Sequence, residues 1–158
     1  LAMRVLQVQA PQRALARLGA ALLVATLDDL AAGQVPERPQ EDSQATYAPK
    51  LQKEEGLIDW RWTAERLHNL IRGLHPWPHA FTFLGPRRLI VRRSRWSPEP
   101  SPAAAGTVVE AAGDRLAVAT GSGILAITEI QSEGKRPMSA REFLAGHPLS
   151  QGERFGSS

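Results

Sequence analysis

The chain has no cysteine, which excludes disulfides, thiolate zinc sites, iron–sulfur clusters and cysteine nucleophiles. It also lacks a long apolar run: the longest strongly apolar stretch, Ala20 to Ala25, is far short of the roughly 18 residues that a membrane-spanning helix needs. No signal-peptide pattern of basic, apolar and small residues opens the sequence. These absences predict a cytoplasmic protein with no membrane partner. Aromatic residues are sparse at 6%, so the four tryptophans stand out. The remainder is ordinary globular composition, with 42% hydrophobic and 22% charged residues. A length of 158 residues suits one domain of roughly 100 to 150 residues plus an appendage.

Charge is divided unevenly along the chain. Residues 1–60 carry six Lys/Arg and eight acids, whereas residues 61–158 carry thirteen Lys/Arg and eight acids. The second part is basic and dominated by arginine: Arg87, Arg88, Arg92, Arg93 and Arg95 fall within nine positions. Such a field attracts phosphates or an acidic partner.

Leu15, Leu18, Leu22 and Leu30 recur at helical steps, Pro11 suits a first turn and Gly33 a stop, which predicts an amphipathic helix over Pro11 to Leu30. The polar, proline-bearing segment after it reads as an extended linker. A second helix is expected over Thr63 to Arg72, ended by Gly73. His75-Pro76-Trp77-Pro78 then forces a rigid turn. From Ala80 the period becomes strand-like, with β-rich runs at Ala80–Leu84, Arg88–Trp96, Thr107–Ala112, Arg115–Thr120 and Ile124–Gln131. Gly113-Asp114 and Gly121-Ser122-Gly123 are short enough for hairpins, so the last three strands should form an antiparallel meander. Ser139-Ala140-Arg141-Glu142 has the pattern of a capping box opening a short helix. The expected class is mainly β with peripheral helices: an OB-like, partly open five-stranded barrel preceded by a linker and an isolated N-terminal helix. The expected divisions are 1–33 for the helix, 34–60 for the linker and 61–158 for the barrel.

No catalytic residue or metal ligand emerges. His75 and His79 are four apart, but the prolines between them exclude a helical metal pair. Asp28-Asp29 and Glu54-Glu55 are sequence neighbours that do not face each other on a helix, and they read as solvated charge. No phosphate loop, nucleophile elbow or dinucleotide fingerprint occurs. In the run Arg88 to Trp96, alternation places Arg93 and Arg95 on one face and Arg92 with Trp96 on the other. Guanidinium groups there suit phosphate, yet a charged edge strand protected from aggregation has the same pattern; both readings stand. Trp60 and Trp77 are expected in the core, while Trp62 and Trp96 are left open between core and base stacking.

Several separated strings resemble one family. Ala45-Thr46-Tyr47-Ala48-Pro49-Lys50-Leu51, Glu54-Glu55-Gly56-Leu57-Ile58-Asp59-Trp60, Asn69-Leu70-Ile71-Arg72-Gly73-Leu74-His75-Pro76-Trp77-Pro78-His79-Ala80, Gly134-Lys135-Arg136-Pro137-Met138 and Glu142-Phe143-Leu144-Ala145-Gly146 are similar, in order and spacing, to the C-terminal part of bacterial methionyl-tRNA formyltransferases. The resemblance runs from about Ala14 to Gly156 and leaves out Leu1 to Gln9; with Leu1 in place of Met, the expected start is a truncation or a frame error. It implies a chain that helps hold initiator methionyl-tRNA for formylation by 10-formyltetrahydrofolate in translation initiation. The family's chemistry belongs to an N-terminal Rossmann-like half with an Asn, His and Asp constellation and a Ser-Leu-Leu-Pro loop. Those motifs are absent here, so the chain is expected to be inert alone, to hold no cofactor and to have the missing catalytic domain as a partner. That domain would also cover the apolar stripe of the first helix.

The resemblance places Lys50 at a linker lysine associated with tRNA contact. With Arg87, Arg88, Arg92, Arg93, Arg95, Lys135 and Arg136, it completes the expected tRNA-binding set. Neither DNA nor a membrane is expected. Two other classes compete: a related domain of a formyltetrahydrofolate-using enzyme acting on nucleotide sugars or releasing formate, and a structural module that braces a catalytic half. In the latter, Asp59 and Arg72 would be scaffold residues.

Overall fold

The computed structural model describes residues 9–34, 39, 41–47 and 49–156, without the side chains of 9–13 and 44. The segment Leu1 to Gln7 and most of the expected linker's proline-bearing start lie outside them. The chain divides into two units at Lys50/Leu51.

In the first unit, helix α1 spans Gln9–Ala31. Leu15, Leu18, Leu22, Leu27 and Leu30 are all exposed, and α1 buries none of its described side chains. Its C-terminal turn closes with Gly33 N donating to Leu30 O and Gln34 N to Asp29 O. A short 3-10 turn, Asp42–Gln44, follows.

The second unit is built on a six-stranded antiparallel sheet. Its strands are β1 (Ala80–Leu84), β2 (Arg87–Ser97), β3 (Val108–Ala112), β4 (Arg115–Ala119), β5 (Ile124–Ser132) and β6 (Met138–Ser139). They lie in the order β1-β2-β5-β4-β3, with β6 paired to β5. The expected meander is present as β3-β4-β5, joined at Gly113-Asp114 and Thr120 to Gly123. The sixth strand corrects the expected count of five. Met138 and Ser139 pair with Ile130 and Glu129, a match too short to produce any period in sequence.

The sheet curls into an open barrel whose two terminal strands are joined by the C-terminal segment. Val108 N donates to Glu153 O, Phe155 N to Gly106 O, and Gly156 N to Phe83 O. Phe155 is thereby buried against Trp60, with ring centroids 5.8 Å apart.

Helix α2 (Ala64–Gly73) starts at Thr63, whose hydroxyl accepts from Arg66 N, and buries Leu67 and Ile71 against Leu89, Val91 and Ile127 in the barrel core. Helix α3 (Ala140–Gly146) closes another side with buried Phe143. Both bonds of the expected capping box form: Glu142 N donates to Ser139 Oγ at 3.2 Å, and Ser139 N donates to Glu142 Oε2 at 2.8 Å. Among the described residues no helix is long and apolar enough to cross a membrane.

Two expectations change. Residues 51–60, read as linker, belong to the barrel: Ile58 and Trp60 lie in its core, and the buried Trp60 Nε1 donates to Thr82 Oγ1 at 3.0 Å. The segment is held without regular strand pairing, since Gly121 N donates to the carbonyls of both Trp60 and Trp62. A side chain at Gly121 would collide with the Arg61 carbonyl. Trp77 is the second change: it is 53% exposed instead of buried. His79 N donates to Leu74 O and closes the turn, so Leu74 and Ala80 enter the core at its base while Trp77 stays at its tip.

Candidate phosphate-binding site

Strand β2 pairs with β1 only from Arg87 to Val91; beyond Val91 its strand partner is β5. The edge-strand reading therefore fits only its second half. There the ladder with β5 is broken twice. Val91 pairs with Ile130 and Arg93 with Glu129, leaving Arg92 as an extra residue on β2; Ser94 then pairs with Ile127, leaving Thr128 as an extra residue on β5. Bulges re-aim side chains and bend the strand that carries them.

The consequence corrects the expected alternation at Arg92, which now lies beside Arg93, while Arg93 and Arg95 stay exposed on either side of the buried Ser94 as the alternation expected. Arg92, Arg93, Ser94 and Arg95 all line one concavity of about 590 Å³, together with Thr128 and Glu129 of β5. Helix α2 supplies the opposite wall with His68 and Arg72, which are four residues apart and so share a helix face. Four arginines and one carboxylate, Glu129, thus line the concavity. Glu129 lies 3.3 Å from Arg92 Nε and 3.4 Å from Arg93 Nε. Arg92 is further fixed by Gln131 Oε1 at 3.0 Å, whereas Arg93 remains 78% exposed. Arg72 and Arg95 make no ion pair among the described residues.

His68 Nδ1 is 3.0 Å from the buried Ser94 Oγ. Burial, aided by the charge of Arg72, pushes the imidazole below its ordinary value of 6.5, with hydrogen bonding to Ser94 opposing the shift. His79 is lowered likewise, by burial first and then by the charges of Arg92 and His75.

The other expected residues sit elsewhere. Arg87 is exposed at the start of β2, and Arg88 pairs with Glu133 at 3.0 Å while its guanidinium lies over the Phe81 ring. At about 3.3 Å per residue, Arg87 and Arg95 are on the order of 25 Å apart along the strand. Lys135 lies in the turn after β5, its carbonyl accepting from Gln131 Nε2. Arg136 is committed to Glu142 at 2.8 Å and reinforces the α3 cap. Lys50 is exposed at the end of the first unit. Of the two residues considered as scaffold, Asp59 pairs with Arg61 at 2.8 Å and Arg72 lines the concavity.

Sequence reasoning missed His68 and Arg72 as members of this site. Their four-residue spacing on the polar side of α2 was the available signal. Trp62 and Trp96 are not among the residues of the concavity; Trp62 is half-buried with the Arg66 guanidinium 3.6 Å from its ring, and Trp96 is exposed. Among the described residues no group of three His, Asp or Glu is placed to hold a metal ion.

The fold and this geometry can be set against known proteins. The model of the formyl transferase C-terminal domain matches residues 50–148. The chain belongs to that family. The formyl transferase domain here is 42% identical, over 142 residues, to methionyl-tRNA formyltransferase of Moorella thermoacetica, covering 90% of this chain and 46% of that protein. It is 46% identical over 138 residues to the enzyme of the same name from Trichlorobacter lovleyi, covering 87% and 43%. The chain thus spans less than half the length of these relatives and corresponds to their C-terminal portion. Among solved structures, a variant of HypX from Aquifex aeolicus superposes with a TM-score of 0.58 at 15% identity, over 83% of this chain and 23% of that one. HypX in complex with tetrahydrofolic acid gives 0.55 at 14% identity, over 86% and 26%. At such identities the likeness is one of fold.

Proposed function

We propose that this domain is the C-terminal tRNA-binding portion of a cytoplasmic methionyl-tRNA formyltransferase, the enzyme that formylates methionyl initiator tRNA from 10-formyltetrahydrofolate in translation initiation. The observation that carries the reading is the doubly bulged β2–β5 ladder, which gathers Arg92, Arg93 and Arg95 opposite Arg72 in a domain related to enzymes of that name. Arginine binds phosphate oxygens in bidentate fashion, and contacts to a nucleic-acid backbone set position without reading sequence. The domain's part is therefore to hold the tRNA backbone, with Arg87 and Lys135 extending the positive field, Arg88 and Arg136 being neutralised by Glu133 and Glu142, and Lys50 making a separate contact from the first unit.

Bond making belongs to the catalytic domain that this chain would accompany, and the chain alone is inert. The concavity has no aliphatic, Phe, Tyr or Trp lining against which a pterin ring could pack, so it does not fit the folate donor, and no step is assigned to that group here.

Fluorescence anisotropy of the full chain with initiator tRNA at several salt concentrations tests the reading. Affinity should fall steeply with salt, and Arg93→Ala with Arg95→Ala should flatten the logarithmic slope by about two, one for each phosphate left without its guanidinium. No binding at low salt would refute it in favour of a purely bracing domain.

A further inference from the structure

A solvated charged face needs neither a recess nor a fixed anchor, and the concavity between α2 and β2 has both, with Arg92 half-buried. Arg92 belongs to its wall, held by Gln131 and Glu129. Arg72, Arg93 and Arg95 are exposed side chains around it. His68 has Nδ1 engaged with Ser94 Oγ, which leaves Nε2 as the ring nitrogen for a ligand. We propose that this concavity is a discrete phosphate subsite in which Arg72 takes one phosphate group, to which His68 donates from Nε2, while Arg93 and Arg95 take the phosphates beside it. The proposal rests on the phosphate-binding reading above and narrows it to one place with α2 as an essential wall. The ligand chemistry is a phosphate oxyanion, carried either by an RNA backbone or by inorganic phosphate.

Two properties follow from the geometry. Glu129 is an anion already built into the wall, and it competes with the ligand for Arg93. Its removal tightens binding. His68 is held neutral by its surroundings, and a phosphate beside it reverses that preference, so binding takes up a proton and strengthens as pH falls. The charged groups around His68 are Arg72 on its own helix, Arg92, Arg93 and Arg95 on β2, and Glu129 on β5. His79 lies beyond Arg92, with its Nε2 3.5 Å from Arg92 Nη1.

The test titrates the full chain with a short single-stranded RNA, whose phosphodiesters do not titrate, at about pH 8 and about pH 6, and separately with inorganic phosphate at pH 8. Wild type should bind RNA about threefold or more tightly at the lower pH. His68→Gln should abolish that gain, while the control His79→Gln keeps it. Arg72→Ala should lower the salt slope by about one, and Glu129→Gln should raise affinity several-fold at both pH values. Loss of inorganic phosphate binding in Arg72→Ala supports the subsite even if tRNA does not bind. Full RNA affinity and an unchanged pH gain in both Arg72→Ala and His68→Gln would overturn it. If Arg93→Ala with Arg95→Ala still weakened tRNA binding, the broader reading would survive that failure.

Discussion

At the scale of single residues, the histidines record what the fold does to charge. His68 and His79 are depressed chiefly by burial, with a neighbouring arginine adding to it in each case. For a base, a lowered folded value means that the unfolded chain binds more protons once the pH drops below its own value near 6.5. The stabilising preference is complete above that pH and is lost as pH falls from there through the lowered folded value. Denaturant midpoints measured in sulfate- and phosphate-free buffer should therefore decline from about pH 7 to about pH 5, and His68→Gln should shallow that decline. A slope unaltered by the substitution would show that His68 does not sense the concavity. The same residue marks a limit of pattern reading. As one histidine on a predicted helix, nothing in its neighbours announced the partner 26 positions away at Ser94.

At the scale of elements, the best-predicted features are those written in local chemistry. The α3 cap is an example: Ser139 and Glu142 are three apart, and each satisfies a backbone N–H of the other. Glu142 is pulled down to about 2, first by the Ser139 backbone donor and then by Arg136, so this cap stays charged to low pH. Ser139→Ala should destabilise the domain by about 0.5–2 kcal/mol, measured as a shift in denaturant midpoint with unchanged m-value; no shift would mean that burial of Phe143 alone holds α3. Strand β1 is likewise where alternation and the flanking turns put it, over Ala80–Leu84. Strand β2 is not so legible. Its paired bulges depend on β5, a strand about 30 residues later, and an isolated reading of Arg92 to Arg95 necessarily assumes unbroken alternation.

At the scale of the molecule, every residue of the hydrophobic core lies between Ile58 and Phe155. A chain beginning at Leu51 should therefore fold with the melting temperature of the full chain. A fall of more than about 5 °C, on the order of 1 kcal/mol for a domain of this size, would show that the first unit contributes to the barrel's stability. The positive field also belongs to this scale. Residues 61–158 hold the excess of arginine, but internal pairs consume part of it, Arg88 with Glu133 and Arg136 with Glu142 among them. Of what remains, Arg93, Arg95 and Arg72 gather at the second half of β2 and on α2, while Arg87 and Lys135 lie apart from them.

By itself the sequence determined the order of the helices and of strands β1 to β5, the turn positions, the α3 cap, the family and the basic character of the second part, because each rests on interactions between residues a few positions apart or on strings that need no partner to be read. Tertiary structure alone decided which side chains meet. It closed the barrel with Phe155, drew Trp60 inward and left Trp77 outside, and used two bulges to turn an arginine-rich strand into the wall of a recess. Those outcomes depend on hydrogen bonds and packing between segments far apart in the chain, for which no periodicity in either segment carries a signal.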